Sequence, residues 1–269
     1  MEDNRETGFG WPQLGICAAM VGLAVWGLLA IALPPSGTIL PKHPVHPATG
    51  DGGLATLPQP KHAVQGAMKP VDCSRQACLA LTFDDGPDSH VTPQVLDILR
   101  RHKVRATFYV VGSRVAGNEA LLRQMYQDGH EIGNHSWNHA DLTTLNAMQI
   151  QQQISSTQAA VAGAGVPPPT TFRPPYGAVN AVVRANVPLT IVRWNVDPED
   201  WNAKEAKDVV SKVESTAKPG AVIDMHDIHQ QTADALDQLL NDFAPKYQLV
   251  TVSELFNLPP GQRGEFFGR

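Results

Sequence analysis

From residue 71 to residue 258, short apolar runs of strand length alternate seven times with amphipathic runs of helical length. The strand-like runs fall at 79–83, 105–111, 130–135, 171–172, 188–194, 221–225 and 248–252. The helical ones fall at 92–102, with Pro93 in the first turn, at 118–127, 146 to about 161, 180–185, 203–213 and 232–243. A last short helix is capped by Ser253. Strand and helix in strict alternation cannot build a bundle or a sandwich. They imply a parallel sheet with helices on its faces, here closed or nearly closed into a seven-unit (β/α) barrel.

In such a barrel the reactive side chains gather where the strands end. After the first strand come Asp84 and Asp85, followed by Gly86 and Pro87. After the third come His135, Ser136, Trp137, Asn138 and His139; after the fourth, Arg173, Pro174, Pro175, Tyr176 and Gly177. Asp197 to Trp201 follow the fifth, and His226 and Asp227 the sixth. Each has an ordinary explanation when taken alone: Asp-Asp-Gly-Pro serves equally as a polar turn. Five coinciding at one rim point to a site. His135 and His139 are four apart, so one helical turn would present both to a single ion. A glutamate after the first histidine would suggest a metalloprotease, but Ser136 stands there. A third ligand must therefore come from elsewhere, and an acid of the Asp84–Asp85 pair would complete a His₂-carboxylate site with open positions.

Ahead of this region the composition changes. Residues 14–33 contain no charge and are long enough to cross a bilayer as a helix. The preceding segment, 1–13, carries Glu2, Asp3 and Glu6 against Arg5, the wrong balance for a signal peptide. An uncleaved anchor is expected, with a secreted protein as the alternative if the segment is removed at Ala30–Ala32. Residues 34–70 hold eight prolines and five glycines and read as a disordered linker. Extended, it would reach on the order of 100 Å. Its histidines, His43, His46 and His62, read as solvated. Cys73 and Cys78 would close a small loop as a disulfide in an exported protein, or remain thiols in a cytosolic one. A net charge of -5 argues against nucleic acid as a partner.

The segments 82–87, 135–139, 173–176, 200–201 and 225–227 resemble the five ordered motifs of the polysaccharide deacetylases. These are the NodB-homology domains of carbohydrate esterase family 4, and the resemblance spans about residues 72–258. It implies a distorted (β/α)7 barrel over 71–260, with a C-terminal tail at 261–269. It also implies a divalent metal, zinc first with cobalt or nickel as alternatives, held by Asp85, His135 and His139. Asp84 would be the base, paired with Arg173, and His226 the acid, kept charged by Asp200. The Tyr176 N–H would stabilise the oxyanion, and Trp201 would wall the acetyl pocket. Trp137 and Trp194 are candidates for sugar stacking, core burial being the other reading for Trp194.

One position departs from the family. Two residues before the acidic histidine a leucine is usual, lining the acetyl pocket; here it is Asp224. On a strand Asp224 shares a face with His226. A carboxylate against a methyl is unfavourable unless it turns toward a cation or toward His226 itself, so Asp224 is expected to reshape the acyl pocket or lower turnover.

The resemblance implies removal of N-acetyl groups from an N-acetylglucosamine polysaccharide. With the anchor, the linker and a disulfide, a single-pass membrane protein with an extracytoplasmic domain is expected, and peptidoglycan is the first substrate. Chitooligosaccharide deacetylation, acetylxylan O-deacetylation and a non-catalytic glycan-binding domain are the alternatives.

Overall fold

The computed structural model describes residues 71–259 and 261–269. The expected membrane segment 14–33, the linker 34–70 and its three histidines lie outside the described residues. Among the described residues no helix is long and apolar enough to cross a membrane.

The strands are β1 (Cys78–Asp84), β2 (Thr107–Val110), β3 (Glu131–Asn134), β4 (Thr171–Phe172), β5 (Thr190–Val192), β6 (Val222–His226), β7 (Gln248–Val250) and β8 (Glu265–Phe266). Between them run α1 (Val91–His102), α2 (Glu119–Gln127), α3 (Ala147–Gly163), α4 (Ala181–Asn186), α5 (Ala206–Thr216), α6 (Gln230–Phe243) and α7 (Val252–Phe256). The sheet order is β6-β1-β2-β3-β4-β5-β8, with β7 on the first half of β1 and every pairing parallel. Closure is incomplete as a ladder. Beyond β5 the chain meets β6 through a single parallel bridge, Val196 to Ile223. This is the distortion of the barrel.

Two details differ from the expectation. Strand β8 lies in the stretch expected as a tail, where it pairs Ile191 with Glu265 and Val192 with Phe266. The last helix is capped by Thr251, whose side chain accepts from the Glu254 N–H while Glu254 answers to the Thr251 N–H. Ser253 instead donates its N–H and hydroxyl to the half-buried Glu131, at 3.0 and 2.9 Å. A capping box needs Glu or Gln three residues after the cap, and only Thr251 satisfies that spacing.

The alternation of β1 and β6 sets the depth of the site. Leu79, Leu81 and Phe83 of β1 and Ile223 and Met225 of β6 face the helices, where they pack with Val95, Leu96 and Leu99 of α1 and Leu236, Leu239 and Leu240 of α6. The intervening residues face the barrel interior, because successive side chains on a strand point to opposite faces. The register pairs Ala80 with Val222, Thr82 with Asp224, and Asp84 with His226. The interior therefore runs from an apolar layer, through a polar one, to an ionisable one at the strand ends.

Candidate active site

Strand β1 ends on Asp84, and the next residue turns sharply: Asp85 has φ 72° and is followed by a cis peptide between Gly86 and Pro87. The left-handed backbone sends the two adjacent carboxylates in different directions. Asp84 Oδ1 accepts from Arg173 Nη1 at 2.8 Å. Asp85 Oδ1 lies 3.4 Å from His135 Nε2 and 3.2 Å from His139 Nε2. Gly86 is required by packing, since a Cβ there would fall 2.3 Å from a carboxylate oxygen of Asp227.

The two histidines are brought together by a turn and not by the helical turn expected from their spacing. Ser136 and His139 both have left-handed φ, 67° and 59°. The turn is braced from both sides. The Ser136 N–H donates to Asn134 Oδ1 at 2.9 Å, and Gln153 of α3 accepts from the Trp137 N–H at 2.8 Å. Gln153 also donates to the Asn138 side chain at 2.9 Å. The rings end 5.0 Å apart, centroid to centroid.

Asp85, His135 and His139 each offer one ligand atom, and the three atoms lie within 4.8 Å of one another. Two further observations fit them to a metal. His135 Nδ1 donates to the Arg173 carbonyl at 2.8 Å, which leaves Nε2 as the lone-pair nitrogen facing the cluster. Asp85 Oδ1 is buried and takes no hydrogen bond among the described residues. Burial alone would raise the Asp85 carboxyl, but the close approach and charge of His135, then of His139 and His226, hold it well below the usual carboxylate range. Two imidazoles and a carboxylate suit zinc, cobalt or nickel.

Arg173 is fully buried and organises the floor. Its Nη1 reaches Thr82 Oγ1 at 2.7 Å, Asp84 at 2.8 Å and Asp224 Oδ1 at 2.6 Å; Nε donates to the Val192 carbonyl at 3.2 Å. The guanidinium stacks 4.3 Å over the Tyr109 ring. Burial works against its charge, yet the Asp84 and Asp224 carboxylates more than compensate and raise its pKa further. Asp224 has thus turned toward a cation. Burial and the charge of Asp84 push its own carboxyl well up, against the pull of Arg173 and His226.

Across the cavity, His226 Nδ1 is 2.8 Å from Asp200 Oδ1, and the His226 N–H donates to Asp200 Oδ2 at 2.7 Å. Thr232 also donates to Asp200. Burial would lower the His226 pKa, but the hydrogen bond and charge of Asp200, with Asp224 and Asp84 behind, push it up to about 10. The rim carries Tyr176, 70% exposed with its ring edge-on to His139 at 4.7 Å, and Trp201, 57% exposed. Trp194 lines the cavity beneath them, whereas Trp137 stands outside it on the α3 side. The cavity so formed measures about 470 Å³.

Apart from Trp137, the residues given a role from the sequence either line this cavity or, as Arg173 and Asp200 do, hold one that does. Two residues without a role in the sequence pattern also belong here. His229 lines the cavity with its ring 5.8 Å from that of His226, and Asp227 lies behind Gly86. That carboxyl is buried, accepts from Thr92 on one oxygen, has no partner on the other among the described residues, and is pushed up to about 7 by burial. The three-residue step from His226 to His229 was the available signal for the first. The second contact is set by α1 and was not readable locally.

Residues 72–189 match the family model for polysaccharide deacetylases. The chain is 48% identical over 179 residues to the peptidoglycan-N-acetylglucosamine deacetylase PgdA of Listeria monocytogenes, covering 66% of this chain and 38% of that protein. It is 41% identical over 199 residues to the peptidoglycan-N-acetylmuramic acid deacetylase PdaC of Bacillus subtilis, covering 73% and 43%. It spans less than half the length of these two curated relatives. Among solved structures, the T48 deacetylase with substrate superposes with a TM-score of 0.68 at 39% identity, over 72% of this chain and 99% of that one.

Proposed function

Because the chain belongs to the polysaccharide deacetylase family, we propose that it hydrolyses N-acetyl groups on the N-acetylglucosamine residues of a cell-envelope polysaccharide, peptidoglycan first. The observation that carries this reading is the division of labour between two adjacent acids. Asp84 is held by Arg173 and Asp85 by His135 and His139, in one cavity with a His–Asp pair opposite.

Asp84 is the base. Arg173 occupies its Oδ1, leaving Oδ2 for the proton of the attacking water. Asp85, His135 and His139 hold the divalent ion, zinc first, with cobalt and nickel as alternatives. When bound, that ion supplies Lewis acidity to the acyl carbonyl and to the attacking water. The Tyr176 N–H stabilises the oxyanion that develops. His226, charged through Asp200, gives its proton to the departing nitrogen. Trp201 walls the acyl side of the mouth. Arg173 and Asp200 are positioning residues.

Location is part of the proposal. The uncharged run 14–33 anchors the chain in the cell membrane, and 34–70 tethers the domain 71–260 on the extracytoplasmic side. The Cys73–Cys78 disulfide suits an oxidising compartment.

Mass spectrometry of muropeptides, chitooligosaccharides and acetylxylan, before and after treatment with the metal-loaded protein, tests the reading. Metal-dependent acetate release from muropeptides is expected. Release from acetylxylan alone would move the assignment to O-deacetylation, and release from none would leave a glycan-binding domain. Alkaline extraction of membranes tests the anchor: a chain that washes off is not held by 14–33.

A further inference from the structure

One carboxylate at the bottom of the cavity has no part in the reaction just described. Asp224 is on β6, one interior layer below His226, since it pairs with Thr82 where His226 pairs with Asp84. Two residues along a strand are roughly 6–7 Å of depth. Asp224 is 3% exposed and lines the cavity. Its Oδ1 is committed to Arg173 at 2.6 Å, whereas Oδ2 takes no hydrogen bond among the described residues. A polar oxygen in that position needs a partner from whatever fills the cavity.

The orientation of a substrate follows from the gradient of exposure. A polysaccharide cannot pass the floor, where Arg173 is fully buried, so it lies across the mouth beside Tyr176 and Trp201. With the scissile carbonyl between the Asp85, His135 and His139 cluster and His226, the acyl substituent points down to the layer that holds Asp224. An acetyl methyl arriving there expels water from Oδ2 and offers nothing in exchange. A hydroxyacetyl group differs by one hydroxyl on the terminal carbon. That hydroxyl can donate to the carboxylate or accept from the carboxyl, replacing the water bond for bond.

We propose that Asp224 is a specificity-determining residue that selects a short acyl group ending in a hydroxyl, making N-glycolyl amino sugars preferred over N-acetyl ones. The inference rests on the deacylase reading above. The balance of the reaction is unchanged. The amide C–N bond breaks, the hydroxyl of water joins the acyl carbon, its proton ends on the nitrogen, and glycolate leaves in place of acetate.

The test compares matched N-acetyl and N-glycolyl chitooligosaccharides with the metal-loaded wild type, Asp224→Leu and Asp224→Asn. In parallel, binding of acetate and glycolate to the same three proteins is measured by NMR titration without turnover. The wild type is expected to favour the glycolyl substrate in kcat/KM by on the order of tenfold, from one buried hydrogen bond. Asp224→Leu should invert the preference. The isosteric Asp224→Asn should fall between and provides the comparison if the leucine variant does not fold. Glycolate should outbind acetate in the wild type alone by a similar ratio. Equal preference in the wild type, or a preference for acetyl, overturns the proposal and leaves the deacetylase reading standing. Release of neither acid, with glycolate still the better ligand, overturns the deacetylase reading and not the character of the pocket.

Discussion

Two ion pairs face each other across the cavity, alike in their acid and different in their cation. Asp84 on β1 is paired with Arg173 at 2.8 Å, and Asp200, after β5, with His226 at 2.8 Å. Both carboxylates are buried; Asp200 accepts further hydrogen bonds from the His226 N–H and from Thr232, whereas the other neighbour of Asp84 is His135 Nε2, 3.6 Å from its Oδ2. Arginine keeps its charge at any pH the fold survives, so in the first pair the carboxylate is the member that exchanges a proton and the cation is its support. Histidine gives up its proton within reach of ordinary pH, so in the second pair the cation is the reactive member and the carboxylate its support. The same electrostatic unit thus makes a base on one side and an acid on the other.

The comparison breaks most severely at Arg173. Arg173→Met leaves Asp84 and Asp224 buried without their shared cation, and loss of about 3–5 kcal/mol is expected in urea unfolding. A variant as stable as the wild type would mean that the pair on that side is not held as an ion pair.

Asp84→Asn keeps shape and removes the base. Acetate release should fall roughly 10²–10⁴-fold, with metal content, read by elemental analysis, unchanged. Undiminished turnover would remove Asp84 from the reaction. His226→Gln should cost about 10²-fold, at the lower end of the same range, because the leaving nitrogen can still draw a proton from water. An equal loss in both variants would blur the distinction between the two sides.

The smallest effect is a titration. In the metal-free protein the His226 ring should titrate near 10, and Asp200→Asn should bring it down toward ordinary histidine values, read by NMR. Linkage gives the sign for stability. The folded value is above the unfolded 6.5, so the contribution of the pair is complete below about 6.5 and is lost as pH rises through about 10. Asp200→Asn should flatten that part of the stability–pH curve. No matching dependence is expected from Arg173, and finding one would erase the contrast.

The alternation of apolar runs was enough to place β1 to β7 and the helices between them, because strand and helix periods are local properties of the chain. It also placed Asp84, Asp85, His135, His139, Arg173, Asp200 and His226 at strand ends, and hence at one rim. Other features depended on residues far apart in sequence. The step between His135 and His139 fits one helical turn, yet the chain takes left-handed backbone at Ser136 and His139, braced by Gln153 from α3. Strand β8 is two residues long and carries no periodic signal; it pairs only because β5 offers an edge.

The sequence by itself determined which residues are chemically capable and that they meet at the ends of parallel strands. The tertiary structure alone decided which charge each buried acid meets. Asp84 finds Arg173 from 89 positions away, and Asp224 finds the same nitrogen from 51. A buried carboxylate must find a counter-charge, but sequence pattern does not say which one, and only the closed barrel brings the candidates within a few ångströms.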